Sequence, residues 1–157
     1  MRMPEAVRNG VNPVNEITFG VCMTGRPEDT ALKTATYTTV KDAESISIAI
    51  DGSVEEWNPM DMKGWKRRLM TAKALSVSMG GKRNYGDPGN DYVAGLAYKM
   101  GQDCNSAMKI TFPNGDSLII PCVINVTSLG GDSTAIDALE WEVLSDGKPT
   151  YVEYEAA

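Results

Sequence analysis

Apolar and polar residues alternate along most of this chain, and the alternation divides it into short strands. Ile46, Ile48 and Ile50 alternate with Ser45, Ser47 and Ala49, the period-two pattern of a half-buried strand over residues 44–50. Leu75, Val77 and Met79 repeat it over residues 73–79, against Ala74, Ser76 and Ser78, a second face of small residues suited to close packing or to water. Leu118, Ile120, Cys122, Ile124 and Val126 share one side of residues 117–127, and Leu139, Trp141 and Val143 share one side of residues 136–144, opposite Glu140 and Glu142. Residues 17–23 and 108–112 are shorter apolar runs of the same kind, 36–40 is an extended edge of the preceding loop, and 150–154 is a last extended piece.

Turn signals separate these runs. Pro113-Asn114-Gly115-Asp116 between two alternating segments is a strong hairpin signal. Asp51-Gly52 reads as a tight turn leading into a strand over residues 54–57, and Ser145-Asp146-Gly147-Lys148-Pro149 closes the strand before the C-terminal piece. Residues 24–34 and 129–134 carry Gly and charge without a period and read as loops. One stretch has helical spacing: Tyr92, Val93, Leu96, Ala97 and Met100, with Asp87 or Asn90 to cap its start and Gly101 to end it, predict a helix over residues 90–101.

About seven short strands with one helix point to a mainly β fold, an antiparallel β-sandwich or partial barrel with one flanking α-helix. At 157 residues the chain has the size of one domain. Residues 1–15, with Pro4, Asn9-Gly10 and Pro13 and little apolar periodicity, form an N-terminal arm, and residues 16–157 form the domain.

Composition narrows the function. A formal net charge of −6 argues against gripping nucleic acid through its phosphates. The chain contains no His, which removes the commonest general base near neutral pH and the commonest metal ligand. Cys22, Cys104 and Cys122 lack the paired spacing of a zinc or redox site and read as buried free thiols. Neither a signal-peptide core nor a long apolar run is present, as expected of a soluble protein made in a cytoplasm.

Candidate chemistry is correspondingly thin. Gly80-Gly81-Lys82-Arg83 follows a strand as a phosphate loop does, without the remaining spacing of that motif. Asp87, Asn90 and Asp91 supply oxygen ligands without the alternation of a calcium loop, and helix capping accounts for them. Asp132-Ser133-Thr134 and Asp137 lack an adjacent base and read as a turn. The basic run Lys63-Gly64-Trp65-Lys66-Arg67-Arg68 could suit a nucleic-acid surface, but on an acidic chain these side chains are expected to meet carboxylates, within the fold or on a neighbouring subunit. Trp57, Trp65 and Trp141 read as core or interface anchors. No catalytic, cofactor-binding or metal-binding residue is assigned, and an enzyme is not expected.

The order of several segments resembles a known family. Asp51-Gly52, Glu55-Glu56-Trp57-Asn58-Pro59, Gly64-Trp65-Lys66-Arg67-Arg68-Leu69, Ala72-Lys73-Ala74-Leu75, residues 81–95 from Gly81-Lys82-Arg83 to Val93-Ala94-Gly95, Phe112-Pro113-Asn114-Gly115 and Ser145-Asp146-Gly147-Lys148-Pro149 together resemble the tail tube proteins of long-tailed bacteriophages with non-contractile tails. The resemblance spans about residues 51–152.

It implies a subunit of a virion, assembled as hexameric rings stacked into a hollow tube, with inner strands completing a hexameric β-barrel. It also implies a tape-measure protein and tail tip and terminator proteins as partners, no membrane, and double-stranded DNA that transits without specific binding. In that setting Glu140 and Glu142 are the first candidates for the lumen wall, ahead of Glu44 and Asp51. Lys66, Arg67, Arg68, Lys82 and Arg83 are candidates for contacts between subunits. The arm and the residue 24–40 loop are expected to be mobile in the monomer and to order against another ring. The alternative is a monomeric β-sandwich module on a virion, binding a carbohydrate or a receptor.

Overall fold

The computed structural model describes residues 10–154. The arm lies largely outside the described residues.

Seven strands form one antiparallel sheet in the order β1-β4-β5-β6-β3-β2, with β7 added beside β5. They are β1 (Thr18–Val21), β2 (Ala43–Trp57), β3 (Arg67–Lys82), β4 (Asn105–Thr111), β5 (Ser117–Gly130), β6 (Ala138–Ser145) and β7 (Thr150–Val152), with a single α-helix among the described residues, α1 (Pro88–Gly95). Strands β1 and β2 end the order and do not pair with each other, so the sheet is open.

Strand β5 joins the two halves of this sheet. Its first half, Ser117 to Val123, pairs with β4, and its second half, Cys122 to Gly130, pairs with β6. Side chains from both halves meet in one buried cluster: Val21, Met108 and Ile110 from one, Val77, Met79, Trp141 and Val143 from the other, and Val93 of α1. The sandwich-like expectation is met by one sheet wrapped around its own core, with the helix covering it.

The largest departure from the sequence reading is at Asp51-Gly52. These residues do not turn: Asp51 pairs with Ala74 and Gly52 with Lys73, and β2 runs on to Trp57. The register set between Ser45 and Gly80 carries through the turn signal as far as Ser53 and Ala72, and the glycine has a different use. A Cβ on Gly52 would lie 2.9 Å from Met70 Sδ, so its absence makes room for that side chain. The reversal comes after Trp57, where Met60–Met62 form a 3-10 turn and Lys63 (φ 52) and Gly64 (φ 93) adopt left-handed conformations. The two strands read over 44–50 and 54–57 are one strand, and the strand read over 73–79 extends from Arg67 to Lys82.

The other differences are smaller. The helix starts two residues earlier than its spacing suggests, because Asp87 caps it and Pro88 suits its first position, and it ends at Gly95. Gly101 opens a short 3-10 turn instead of closing the helix. Residues 24–40 contribute to the packing: Leu32 and Val40 are buried, and Thr38 bridges Val21. Tyr37 donates its hydroxyl to the Leu32 carbonyl at 2.6 Å, and burial pushes its pKa up to about 12. The three cysteines are free and buried.

Candidate functional site

Two open backbone edges of the sheet lie on opposite sides of one segment. β2 is the last strand of the order, so its outer edge has no strand partner among the described residues. On the other side, β4 stops pairing with β5 at Val123, which leaves that edge of β5 free from Ile124 onward. Between these edges lies a four-stranded segment, β2-β3-β6-β5, bounded on both sides by unpaired N–H and C=O groups. Such edges template pairing with another chain unless something covers them.

The two faces of this segment differ. Val77, Met79, Trp141, Val143 and Ile124 point into the core. The opposite face carries Ser47, Ser78, Glu142 and Asn125 in one row, set by the pairs Ser47 with Ser78, Ser78 with Glu142 and Glu142 with Asn125. The next row holds Ser45, Gly80, Glu140 and Ser128. Glu140 and Glu142 are thus on one face, as their alternation with Trp141 and Val143 requires. Asn125 Nδ2 donates to Glu142 Oε1 at 2.8 Å. Lys82 lies at the end of this face and pairs with Glu44 at 3.0 Å, so the positive charge there is locally balanced. Small, polar and acidic groups form a smooth surface with little to offer a polyanion.

Beyond the body, β2 and β3 continue alone. From Ala74 back to Arg67, β3 has no strand partner except β2 among the described residues, because β6 ends its pairing at Ser76 and only the Leu75 amide reaches further, to the Ser145 hydroxyl. The two strands form a projecting hairpin whose reach beyond the body is about 26 Å at strand rise. Its side chains are exposed, including Ile50, Val54, Leu69 and Met70, and at its end Met60 and Trp65, the latter 77% exposed. Of the three tryptophans only Trp141 is in the core, at 2%.

The basic run decorates this hairpin. Lys66 Nζ and Arg68 Nε each reach the Glu56 carboxylate at 2.9 Å, and Arg67 lies over the Trp57 ring. Hydrogen bonds from Arg68 and Lys66 hold the Glu56 pKa below its usual value. Arg83 sits elsewhere, at the far end of β3. Its Nη1 donates to Asp91 Oδ1 at 2.8 Å and Asn90 Oδ1 at 2.9 Å, and its guanidinium stacks on Tyr85. The five basic candidates therefore divide between hairpin and body.

That far end explains the densest motif of the sequence. Asn90, 1% exposed, donates to the carbonyls of Lys41 and Lys82 and accepts from the Asn84 amide and Arg83. Asp87 accepts from the amides of Asn90 and Lys41. Gly80 and Gly81 lie inside β3 and not in a phosphate loop; a Cβ on Gly81 would strike the Asp42 carbonyl oxygen. The network is satisfied internally and joins the helix start to the sheet. Among the described residues no group of three His, Cys, Asp or Glu could hold a metal, and no helix is long and apolar enough to cross a membrane.

The exposed apolar hairpin end, with Met60 and Met62 beside Trp65, is a surface feature that the sequence reading missed. Its signal was the run Lys63-Gly64, the true turn, flanked by strand-like residues on both sides.

An open antiparallel sheet with a short helix and a projecting hairpin defines a mainly β fold. No protein-family model matches the chain, and no curated protein does. Solved structures do share its fold, two of which follow. One is a chain from the tail of an empty gene transfer agent particle, obtained by helical refinement with C6 symmetry. It aligns with a TM-score of 0.68 at 13% identity, covering 91% of this chain and 100% of that one. The other is a chain from the virion of the native gene transfer agent particle, with a TM-score of 0.66 at 13% identity and the same coverage.

Proposed function

We propose that this chain is the repeating structural subunit of a phage-type tail tube, in which hexameric rings stack around a lumen that conducts genomic DNA. The observation that carries the reading is the pair of open edges on opposite sides of one four-stranded segment, β2 and the second half of β5. Lateral pairing of the β2 edge of one copy with the β5 edge of the next covers both edges at once and closes a ring. Taking six copies from the C6 symmetry of the similar tail, four strands each at about 4.8 Å spacing and about 40° tilt enclose a barrel about 48 Å across between backbones. That is wider than a DNA duplex.

The smooth face carrying Glu140 and Glu142 is then the lumen wall. Duplex DNA presents one charge per about 1.7 Å of axis, so a basic wall would hold it at many points and an acidic one lets it pass. The opposite curvature would bury the core-facing side chains in the lumen's place and expose the acidic row outside, where it has no such use. Lys66, Arg67 and Arg68 lie on the hairpin, within reach of a neighbouring ring, and there their charge adds to contacts between subunits. Lys82 sits at the rim of the wall, beside the lateral neighbour, and Arg83 stiffens the end of the sheet against which a further ring rests. In this setting the chain is part of a virion, works with the tape-measure and terminating proteins of a tail, and carries out no catalysis.

Negative-stain microscopy of the concentrated protein tests the reading directly. Rings or tubes about 10 nm wide are expected from subunits of this size around a DNA-wide hole. A strict monomer with both edges slow in hydrogen exchange would refute it.

A further inference from the structure

The core face of the sheet continues past the point where β6 leaves it. Strand β6 makes its last pair with β3 at Leu144 and Ser76, and residues 145–149 then turn away towards β7. On β2 and β3 the column of core-facing pairs, Ile46 with Met79 and Ile48 with Val77, runs one step further to Ile50 with Leu75. Leu75 stays half-buried, whereas Ile50 is 65% exposed. Between the root of the hairpin and the 145–149 turn lies an open cavity of about 620 Å³, with Ile50, Leu75 and Pro149 as its apolar wall.

Three donors surround this wall. Lys73 stands two residues from Leu75 on the same face of β3, Lys148 comes from the turn, and neither makes an ion pair with a described residue. The Ser145 hydroxyl accepts from the Leu75 amide at 3.0 Å, which leaves its own proton to give. Neither a carboxylate nor an aromatic ring is among the described residues that line the cavity, and the one acid of the turn, Asp146, is held by Arg26 at 2.8 Å. On a chain of net charge −6, an apolar hollow with cations and no anion at its rim is a local reversal.

We propose that this cavity binds a monocarboxylate with an apolar chain, a free fatty acid. The chain lies against Ile50, Leu75 and Pro149, and the carboxylate accepts from Lys73, Lys148 and Ser145.

The make-up of the lining selects that class. A concave apolar wall with a few convergent polar groups is the usual form of a small-molecule site, and the polar groups fix which end of the ligand stays near water. Lysine suits a single carboxylate at the mouth, since its methylenes extend the apolar wall while its ammonium stays solvated. A sugar or a nucleobase calls for an aromatic platform, which this lining lacks. A neutral hydrocarbon would leave both ammonium groups and the Ser145 hydroxyl unused, and a small hydrophilic anion would leave the wall unused. The site does not depend on the tube reading, because its wall and its donors all belong to one copy.

Equilibrium dialysis of the full chain against labelled decanoate, below the concentration at which decanoate forms micelles, tests the assignment. Saturable binding is expected, with decanol, the uncharged chain of the same length, weaker by about fivefold or more. Acetate and inorganic phosphate, anions without the chain, should not compete. Lys73→Ser combined with Lys148→Ser should weaken decanoate about tenfold and leave decanol unchanged, and Ile50→Ser should weaken both. All three side chains are exposed, and circular dichroism with thermal unfolding checks that the variants keep the fold. Decanol that binds as tightly as decanoate, displacement by acetate, or a double variant that binds decanoate as the wild type does overturns the proposal. So does retention on vesicles of anionic phospholipid by a chain that takes up no free decanoate, which would make the occupant a membrane surface.

Discussion

The side-chain amide of Asn90 donates to the backbone carbonyl of Lys82 at 2.9 Å, tying the first turn of the helix to the last residue of the longest strand. The same side chain also bonds Lys41, Asn84 and Arg83, so every one of its donors and acceptors is used while it is buried. Asn90→Ala removes the centre of this network and leaves the Lys82 and Lys41 carbonyls and the Asn84 amide without that partner. The expected cost is about 2–4 kcal/mol of stability, above that of a single exposed hydrogen bond. Urea unfolding monitored at Trp141 measures it. A loss below about 1 kcal/mol would show that water replaces the asparagine.

Two glycines of the β2–β3 hairpin should respond differently to alanine. At Gly81 the new methyl meets the Asp42 carbonyl oxygen and lies 2.7 Å from the Ala43 Cα, both of them backbone that is held by the sheet. At Gly52 it meets the Met70 thioether, the end of a flexible and exposed side chain. Gly81→Ala is expected to cost about 1–3 kcal/mol by overpacking, and Gly52→Ala less than about 1 kcal/mol. Equal effects in thermal unfolding would contradict the distinction.

These residues also show where sequence was a sufficient guide and where it was not. The alternation of Leu139, Trp141 and Val143 with Glu140 and Glu142 placed each side chain on its face, since period two leaves no other choice. Pro113-Asn114-Gly115-Asp116 turned where expected, with Gly115 at φ 95. Asp51-Gly52 misled because local turn chemistry competes with strand register, and here the long pairing of Ala43 to Trp57 with Gly81 to Arg67 prevails. The hairpin projection was illegible for a different reason. An exposed apolar strand has the same alternation as a buried one, and only the end of β6 at Ser145 decides which half of β3 is covered.

Lowering the pH should loosen the C-terminal segment. Asp116 accepts from the Tyr151 hydroxyl at 2.6 Å and the Tyr154 amide at 2.8 Å, and these bonds, Tyr151 first, hold its pKa below 3.8. A depressed folded pKa means that the contribution is fully present above the unfolded value and is lost as pH falls through the folded one. The Tyr154 amide resonance should therefore titrate with a midpoint below 3.8, and Asp116→Ala should abolish that transition. A midpoint above 3.8 would mean that the two bonds do not form in solution.

If the chain forms the proposed tube, reversing the charge of the smooth face should change what that tube does to DNA and leave the subunit intact. Glu140 is exposed and faces Gly80 across the strand pair, so Glu140→Lys alters neither core packing nor register, and its effect on stability should stay within about 0.5 kcal/mol. Glu142 differs by its bond to Asn125, which Glu142→Lys would exchange for an exposed lysine beside an amide. Each substitution moves one subunit's charge by two units, and with the six copies proposed per ring the wall of every ring would change by about two dozen units when both are made. A wall that passed DNA freely becomes one that binds it, with an affinity that falls steeply as salt rises. Tubes of the double variant should retain short duplexes at low salt and release them at high salt, whereas wild-type tubes should retain none at either. If both tubes treat DNA alike, Glu140 and Glu142 do not line the bore, and the face that carries them must be turned outward.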